Sequence, residues 1–251
     1  MFKTHLNMMW RLFFIRNSRN DRTIDGLGFF HVLSPLFRDI AENEDELAEM
    51  AGRHLGYFNA NPILASYIVG VVMNLELKKK AGEDISADRI DRVKQTLSAV
   101  LTAKGDYFFE VILIPLALTI GSIFAIYSSY IGSSYIGPII FLVSYNLYHL
   151  HSRIGGYRTG LLLGEDVGRE LAGNLFREQK FLGGFAVFVS GCFAALIFFR
   201  GWSLGGYRFV IWGVLALVGV FLLGRKISLI WVVLVLFLAS AIFLVVFNGG
   251  L

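Results

Sequence analysis

Two short stretches of this chain concentrate polar side chains that can recognise hydroxyl groups. The first, RHLGYFNANP, carries the amides Asn59 and Asn61, and the second, GDYFFE, carries the carboxylates Asp106 and Glu110. An amide donates and accepts hydrogen bonds, and an ionised carboxylate accepts several, as the recognition of sugar hydroxyls requires. We therefore take Asn59, Asn61 and Asp106 as candidate substrate-binding residues.

Each candidate also has a purely structural interpretation. Because Pro62 follows Asn61, an Asx-turn closed by Asn61 can hold the end of one helix and the start of another. Asp106 can cap a helix that begins directly after it. Glu110 lies one helical turn beyond Asp106, so both acids are expected on one face, and one of them should be neutral or paired with a cation. Both interpretations stay open.

Neighbouring residues are expected to pack or gate around this site rather than react. Arg53 and His54 can tie helices together, Phe58 can anchor the turn or stack on a ring, and Gly105 would let the chain turn sharply before Asp106. No P-loop, HExxH or GxSxG pattern is present, so no catalytic residue and no cofactor are predicted. The scattered histidines and the single cysteine predict no metal site.

Composition places the chain in a membrane. Of its 251 residues, 55% are hydrophobic and only 17% are charged, against about 25% in soluble domains. The net charge of +4 includes no dense basic patch interleaved with aromatic residues, so nucleic-acid binding is not expected. No secretory signal peptide is evident before Trp10. These features predict an all-α polytopic protein.

The N-terminal part, residues 1–104, is predicted to consist of amphipathic, re-entrant and cytoplasmic helices. Met8–Ile15 is a short apolar segment flanked by arginines, which suits either the membrane interface or a partner subunit. Ile24–Phe37 and Ile63–Leu75 are apolar but shorter than the ~20 residues that cross a bilayer. Each is predicted to be either a re-entrant segment or a segment buried by a partner subunit. The second can also be a buried core helix. Ser86 should cap a helix that ends near Val100.

About five membrane segments are predicted in residues 105–251, within a single domain of 1–251. The positive-inside rule places the basic stretches Lys78–Lys104 and Arg153–Lys180 in the cytoplasm. Glycines at 156, 160, 164 and 168 predict close packing against another helix. The predicted membrane segments are Tyr107–Ile131, Pro138–Leu150, Phe181–Phe199, Phe209–Leu223 and Ile230–Phe247.

The order of these motifs resembles the IID component of mannose-family phosphotransferase-system (PTS) sugar permeases. RHLGYFNANP is similar to that family's RHxxFFNTxP motif. FFIRNSRN, GLGF, GPIIFLVSYNLYHL and GYRTGLLLGEDV follow in the family's order, so the resemblance covers nearly the whole chain. In GDYFFE, Tyr107 replaces a proline and Glu110 replaces the usual tryptophan.

The resemblance implies a non-catalytic subunit of the bacterial inner membrane that acts in a hetero-oligomer. A IIC membrane subunit would be its partner, and IIB, supplied by IIA, would phosphorylate the hexose that IIC and IID translocate. The family's sugars include mannose, fructose and sorbose, and the residues do not select among them. Two other classes stay open: a degenerate IID-like scaffold or regulator without transport, and an unrelated interfacial membrane protein. Gene adjacency to IIA, IIB and IIC would separate them.

Overall fold

The computed structural model describes residues 1–129, 132–133, 135–169, 171, 177, 179–194 and 196–197. The chain divides into two compact units, Met1–Ser190 and Gly191–Leu251. The predicted segments Phe209–Leu223 and Ile230–Phe247 lie outside the described residues. Within the described part, every regular element is helical, as predicted.

Eight α-helices account for most of the described residues. A π-helical segment, Tyr107–Leu113, joins the fifth to the sixth, and single 3₁₀ turns follow the first and the seventh. The helices are α1 (Phe2–Arg11), α2 (Gly26–Ile40), α3 (Glu44–His54), α4 (Ala65–Lys80), α5 (Ala87–Asp106), α6 (Ile114–Ser129), α7 (Ile136–Leu163) and α8 (Gln179–Ala194).

Side-chain caps fix the starts of the two most polar helices. Asn43 Oδ1 accepts from the Glu46 amide at 2.8 Å at the start of α3. Ser86 Oγ accepts from the Arg89 amide at 3.2 Å at the start of α5, which confirms the predicted cap. Each such cap stabilises a helix by about 1 kcal/mol because it satisfies an amide that has no partner within the helix.

Helix α4 forms the core of the first unit, so the core-helix interpretation of Ile63–Leu75 is the one the structure supports. Ile68, Val71 and Val72 have no exposed surface, and α4 packs against α2, α5 and α7 of the same chain. Ile24–Phe37 likewise falls largely within α2, whose buried side chains pack on α1, α3 and α4. Both segments bury most of their apolar side chains within this chain.

Small residues bring α4 and α7 together, as the glycine spacing predicts. A β-carbon on Gly160 would lie 2.2 Å from the carbonyl oxygen of Tyr67, and one on Gly70 would lie 2.3 Å from that of Tyr157. The backbones therefore touch where a larger residue would separate them. A β-carbon on Gly156 would lie 2.5 Å from the Tyr67 ring, whereas one on Gly168 would lie 3.9 Å from Leu97 Cδ2, an ordinary van der Waals distance.

Two predicted boundaries are wrong. The helix capped by Ser86 does not end near Val100 but continues as a helical stretch of 43 residues, Ala87–Ser129. Among the described residues, this stretch alone is long and apolar enough to cross a membrane by itself. The predicted segment Pro138–Leu150 also ends too early, because its helix, α7, continues to Leu163 and stops at Gly164, whose φ of 55° suits glycine.

The π-helical segment has a local cause in Pro115. Proline lacks an N–H group, so the carbonyl of Val111 cannot receive the usual hydrogen bond from four residues on, and the proline ring crowds that carbonyl. A wider turn just before the proline relieves this crowding. Four of the segment's side chains remain buried: Phe108, Phe109, Ile112 and Leu113.

Candidate functional site

Two of the predicted binding residues meet in the structure. Asn61 Nδ2 donates a hydrogen bond to Asp106 Oδ1 at 2.8 Å, across 45 positions of sequence. Asn61 Oδ1 accepts from the amides of Ile63 and Leu64 at 3.0 and 3.3 Å, so the Asx-turn is present as well. Asn61 thus orients Asp106 and holds its own turn, and the second oxygen of Asp106 has no hydrogen bond among the described residues.

Gly105 is what allows this approach. A β-carbon there would lie 2.5 Å from Cβ of Asn61, so only glycine lets the turn reach the helix. The predicted sharp backbone turn at Gly105 is wrong, because the residue is helical. The capping alternative for Asp106 is also wrong, since the helix continues past Asp106 and the carboxylate makes no capping hydrogen bond.

Asn59, Glu110 and Phe58 lie apart from this pair. Asn59 contacts α5 through its carbonyl, which accepts from Thr102 Oγ1 at 2.9 Å. Glu110 is exposed and has no salt bridge among the described residues, and its neutrality or pairing with a cation of a partner subunit stays a prediction. Phe58 is buried and stacks on Phe29, with ring centroids 4.1 Å apart, which anchors the turn.

A buried ionic cluster lies behind the turn and joins α3 to α4. Glu76 Oε1 accepts from Arg53 Nε at 3.2 Å and Glu76 Oε2 accepts from Arg53 Nη2 at 3.1 Å, while His54 Nε2 lies 2.8 Å from Oε1. The side chains of His54 and Glu76 are both 1% exposed. His54 also stacks on Phe37, with centroids 5.1 Å apart. Arg53 and His54 therefore serve packing.

Burial decides the protonation of this cluster. Burial lowers the pKa of His54, and the hydrogen bond to Glu76 only partly offsets it. Burial alone would raise the pKa of Glu76, but hydrogen bonds from His54 and Arg53 bring it below its usual value. His54 Nδ1 is buried without a partner, which suits a neutral ring that donates from Nε2.

Two buried cations have structural contacts that the sequence did not indicate. Lys94 is 1% exposed, donates to the Arg53 carbonyl at 3.0 Å, and so closes the end of α3. Arg153, in α7, donates to the carbonyls of Leu12 and Pro62 at 2.5 and 3.1 Å. The only available signal for Arg153 was its position next to an apolar run, where ionisable residues are functional by default.

An aromatic cleft adjoins the turn that Asn61 holds, although neither Asn61 nor Asp106 is among its lining residues. Its volume is about 180 Å³, and it opens between α4, the π-helical segment and α7. Leu64, whose amide Asn61 holds, forms part of its wall. Aromatic rings and hydroxyl groups make up most of the lining: Tyr67, Phe108, Phe109, Tyr148, His151, Ser152 and Thr159. Such a lining suits a small polyhydroxylated ring, with apolar faces on the aromatics and hydroxyls on the polar groups.

The described residues hold no group of three or more histidine, cysteine, aspartate or glutamate side chains that could bind a metal ion.

Comparison with known proteins places these features in a family. Residues 2–198 match the family model of the PTS system mannose/fructose/sorbose family IID component. The chain is 28% identical over 164 residues to the mannose-specific EIID component of Escherichia coli K12, which covers 65% of this chain and 56% of that protein. It is 30% identical over 175 residues to the sorbose-specific EIID component of Lacticaseibacillus casei, covering 68% and 60%. These alignments span less than two thirds of either relative.

Solved structures support the fold. A cryo-EM structure of the mannose transporter ManYZ in complex with microcin E492 contains a chain that superposes with a TM-score of 0.60 at 22% identity, covering 100% of this chain and 97% of that one. A structure described as a membrane protein superposes with a TM-score of 0.80 at 22% identity, covering 100% and 98%.

Proposed function

Because this chain belongs to the mannose/fructose/sorbose family of PTS IID components, we propose that it works with a IIC subunit to carry a hexose across the bacterial inner membrane. IIB, itself phosphorylated by IIA, would phosphorylate the sugar as it emerges. The chain supplies no catalytic residue and needs no cofactor. The match across residues 2–198 and the fold shared with a chain of a mannose transporter support this proposal.

The observation that carries the sugar site is the Asn61–Asp106 hydrogen bond at the turn that adjoins the aromatic cleft. One oxygen of Asp106 is held by Asn61, which leaves the other to accept from sugar hydroxyls. A charge-assisted hydrogen bond of this kind contributes about 1.5–3 kcal/mol. The rings of Phe108 and Tyr148 would pack on the apolar face of the pyranose, while Ser152 and Thr159 exchange hydrogen bonds with its hydroxyls.

The surface around Glu165 suits contact with a soluble phosphocarrier such as IIB. Arg89 and Glu165 form an exposed ion pair at 2.7 Å, between the start of α5 and the end of α7. Glu83, Asp84 and Asp166 line the same cleft, of about 300 Å³. Mixed exposed charges steer transient partners and set their orientation without requiring a large apolar contact.

The decisive experiment compares uptake of radiolabelled hexoses by cells that carry the complete system with Asp106→Asn or Glu110→Gln. Asp106→Asn should weaken uptake about tenfold or more, since ~1.4 kcal/mol corresponds to a factor of ten. Glu110→Gln should change uptake little, because Glu110 is exposed and, unlike Asp106, accepts no hydrogen bond from Asn61.

Co-purification with IIC checks that each variant assembles. Normal uptake by Asp106→Asn in an assembled complex would remove Asp106 from the sugar site. If the unmutated complex takes up no hexose, the degenerate scaffold replaces the transporter.

A further inference from the structure

A second, larger groove lies on the far side of the π-helical segment. Its volume is about 690 Å³, within the range of about 300–1,000 Å³ typical of ligand sites. It lies between the stretch Lys104–Pro115 and helix α8. Apolar side chains line most of its length, among them Val111, Ile112, Ala186 and Val187.

The polar groups of this groove gather at one end. Lys104 and Tyr107 precede the apolar residues on one helix, and Gln179 and Lys180 precede them on α8. Gln179 Nε2 donates to the Lys104 carbonyl at 3.2 Å, so the polar ends of the two helices are adjacent. The two helices therefore run in the same direction along the groove, with cationic residues first and apolar residues after them.

This polarity matches a membrane boundary. The stretch Ala87–Ser129 is the membrane-span candidate of the described part, and the groove lies along its apolar portion. Tyr107 is 54% exposed at the polar end, where an aromatic ring suits the headgroup level, whereas Val111 and Val187 are exposed further along. An occupant must therefore be apolar along its length and anionic at one end, and the bilayer supplies such molecules at high local concentration.

We propose that this groove binds an anionic phospholipid. Its phosphate lies at Lys104 and Lys180, and one acyl chain lies along Val111, Ile112 and Val187. Basic pockets beside membrane helices bind anionic headgroups in this way, and each cation near the surface contributes enough for about a fivefold change in affinity. The bound lipid would join α8 to the long helix, since the groove is formed by both.

The test uses the full chain co-purified with its IIC partner, stripped of lipid and titrated with phosphatidylglycerol or phosphatidylcholine under native mass spectrometry. The unmodified protein should bind phosphatidylglycerol at least tenfold more tightly. K104Q/K180Q should abolish that preference, whereas K78Q/R92Q, which removes two exposed cations outside the groove, should retain it. Equal binding of the two lipids, or an unchanged preference in K104Q/K180Q, would overturn the proposal.

A second variant tests the groove without removing charge. Gly184 lines the groove, and a β-carbon there meets nothing within 4 Å, so we expect G184L to add bulk into the groove. It should lower retention of both lipids at least tenfold. If a protein segment covers the groove instead, lipid binding will not respond to G184L, and the proposal fails. Glycerol phosphate that binds as tightly as the whole lipid would also contradict it.

Discussion

His54 and Glu76 form a buried hydrogen bond of 2.8 Å between the end of α3 and the end of α4. Arg53 supplies the positive charge that keeps Glu76 ionised, so the ring of His54 can remain neutral. Removing one member of such a buried group leaves the others without compensation, which typically costs about 3–5 kcal/mol. This cluster therefore makes the stability of the N-terminal part depend on pH.

Acidification should destabilise the protein from about pH 6.5 downward. The pKa of folded His54 lies below its ordinary value of 6.5, so the unfolded chain binds the proton first and stability falls as pH falls. Glu76, whose pKa lies below 4.5, adds a loss in the same direction at lower pH. The slope attributable to His54 is at most ~1.4 kcal/mol per pH unit, the limit for one proton.

Thermal unfolding in detergent between pH 7.5 and 5.5 measures this slope. His54→Gln should flatten it, whatever its effect on stability at pH 7.5. His151→Gln, at an exposed position, should leave it unchanged. An equally steep slope in His54→Gln would assign the pH dependence to other groups.

Gly160→Ala should weaken the contact between α4 and α7. Its β-carbon would lie 2.2 Å from the Tyr67 carbonyl oxygen, so the helices must separate, at a cost of about 1–3 kcal/mol. Gly155→Ala is the matched control, because it lies in the same helix with nothing within 4 Å of the added carbon. That control should be neutral or slightly stabilising, since alanine favours a helix. The melting temperatures of the two variants test this prediction. Equal melting temperatures would contradict the close approach of α4 and α7.

Arg153→Lys should loosen the N-terminal segment. A guanidinium can donate to the Leu12 and Pro62 carbonyls at once and lie 4.6 Å from the Phe13 ring centroid, whereas a lysine ammonium offers one point of contact. We expect faster proteolysis between residues 11 and 22. Arg158→Lys, an exposed position of the same helix, provides the control. Unchanged cleavage in Arg153→Lys would show that these contacts do not restrain α1.

The surface around Glu165 should face the cytoplasm. A cysteine at Asp166, which is 75% exposed, can be introduced after Cys192→Ser removes the single native thiol. The positive-inside rule predicts that a membrane-impermeant thiol reagent labels it only after the cells are opened. Labelling of intact cells would contradict both this orientation and the proposed contact with IIB.

Local sequence patterns predicted the features that depend on local chemistry. The Ser86 cap, the Asx-turn at Asn61 and the close packing of Gly156 and Gly160 follow from short-range preferences or regular spacing, and all are present. The pattern also brought Asn61 and Asp106 forward as candidates that turn out to touch.

Other features depend on which helix packs against a given residue in the fold. The sequence alone does not show these tertiary contacts. Gly105 suggested a helix boundary, yet it lies within a helix. The residue is glycine because the side chain of Asn61, 44 positions earlier, occupies the space that a β-carbon would fill. Lys94 lies in a helix with a solvated pattern, and its contact with the end of α3 could not be read from that pattern. The apolar runs in α2 and α4 suggested membrane contacts, partner contacts or, for α4, a core helix. The sequence shows the length of each run but not which helices of the same chain pack against it.

The π-helical segment can absorb a change in the number of residues between α5 and α6 without rotating one helix relative to the other. In an α-helix, losing one residue rotates every later side chain by about 100°. A π-helical turn already contains a surplus residue, so a single deletion between Tyr107 and Leu113 can convert wide turns into α-turns while α5 and α6 keep their facing directions. A single deletion at this point can therefore leave unchanged which surfaces face the interior on either side.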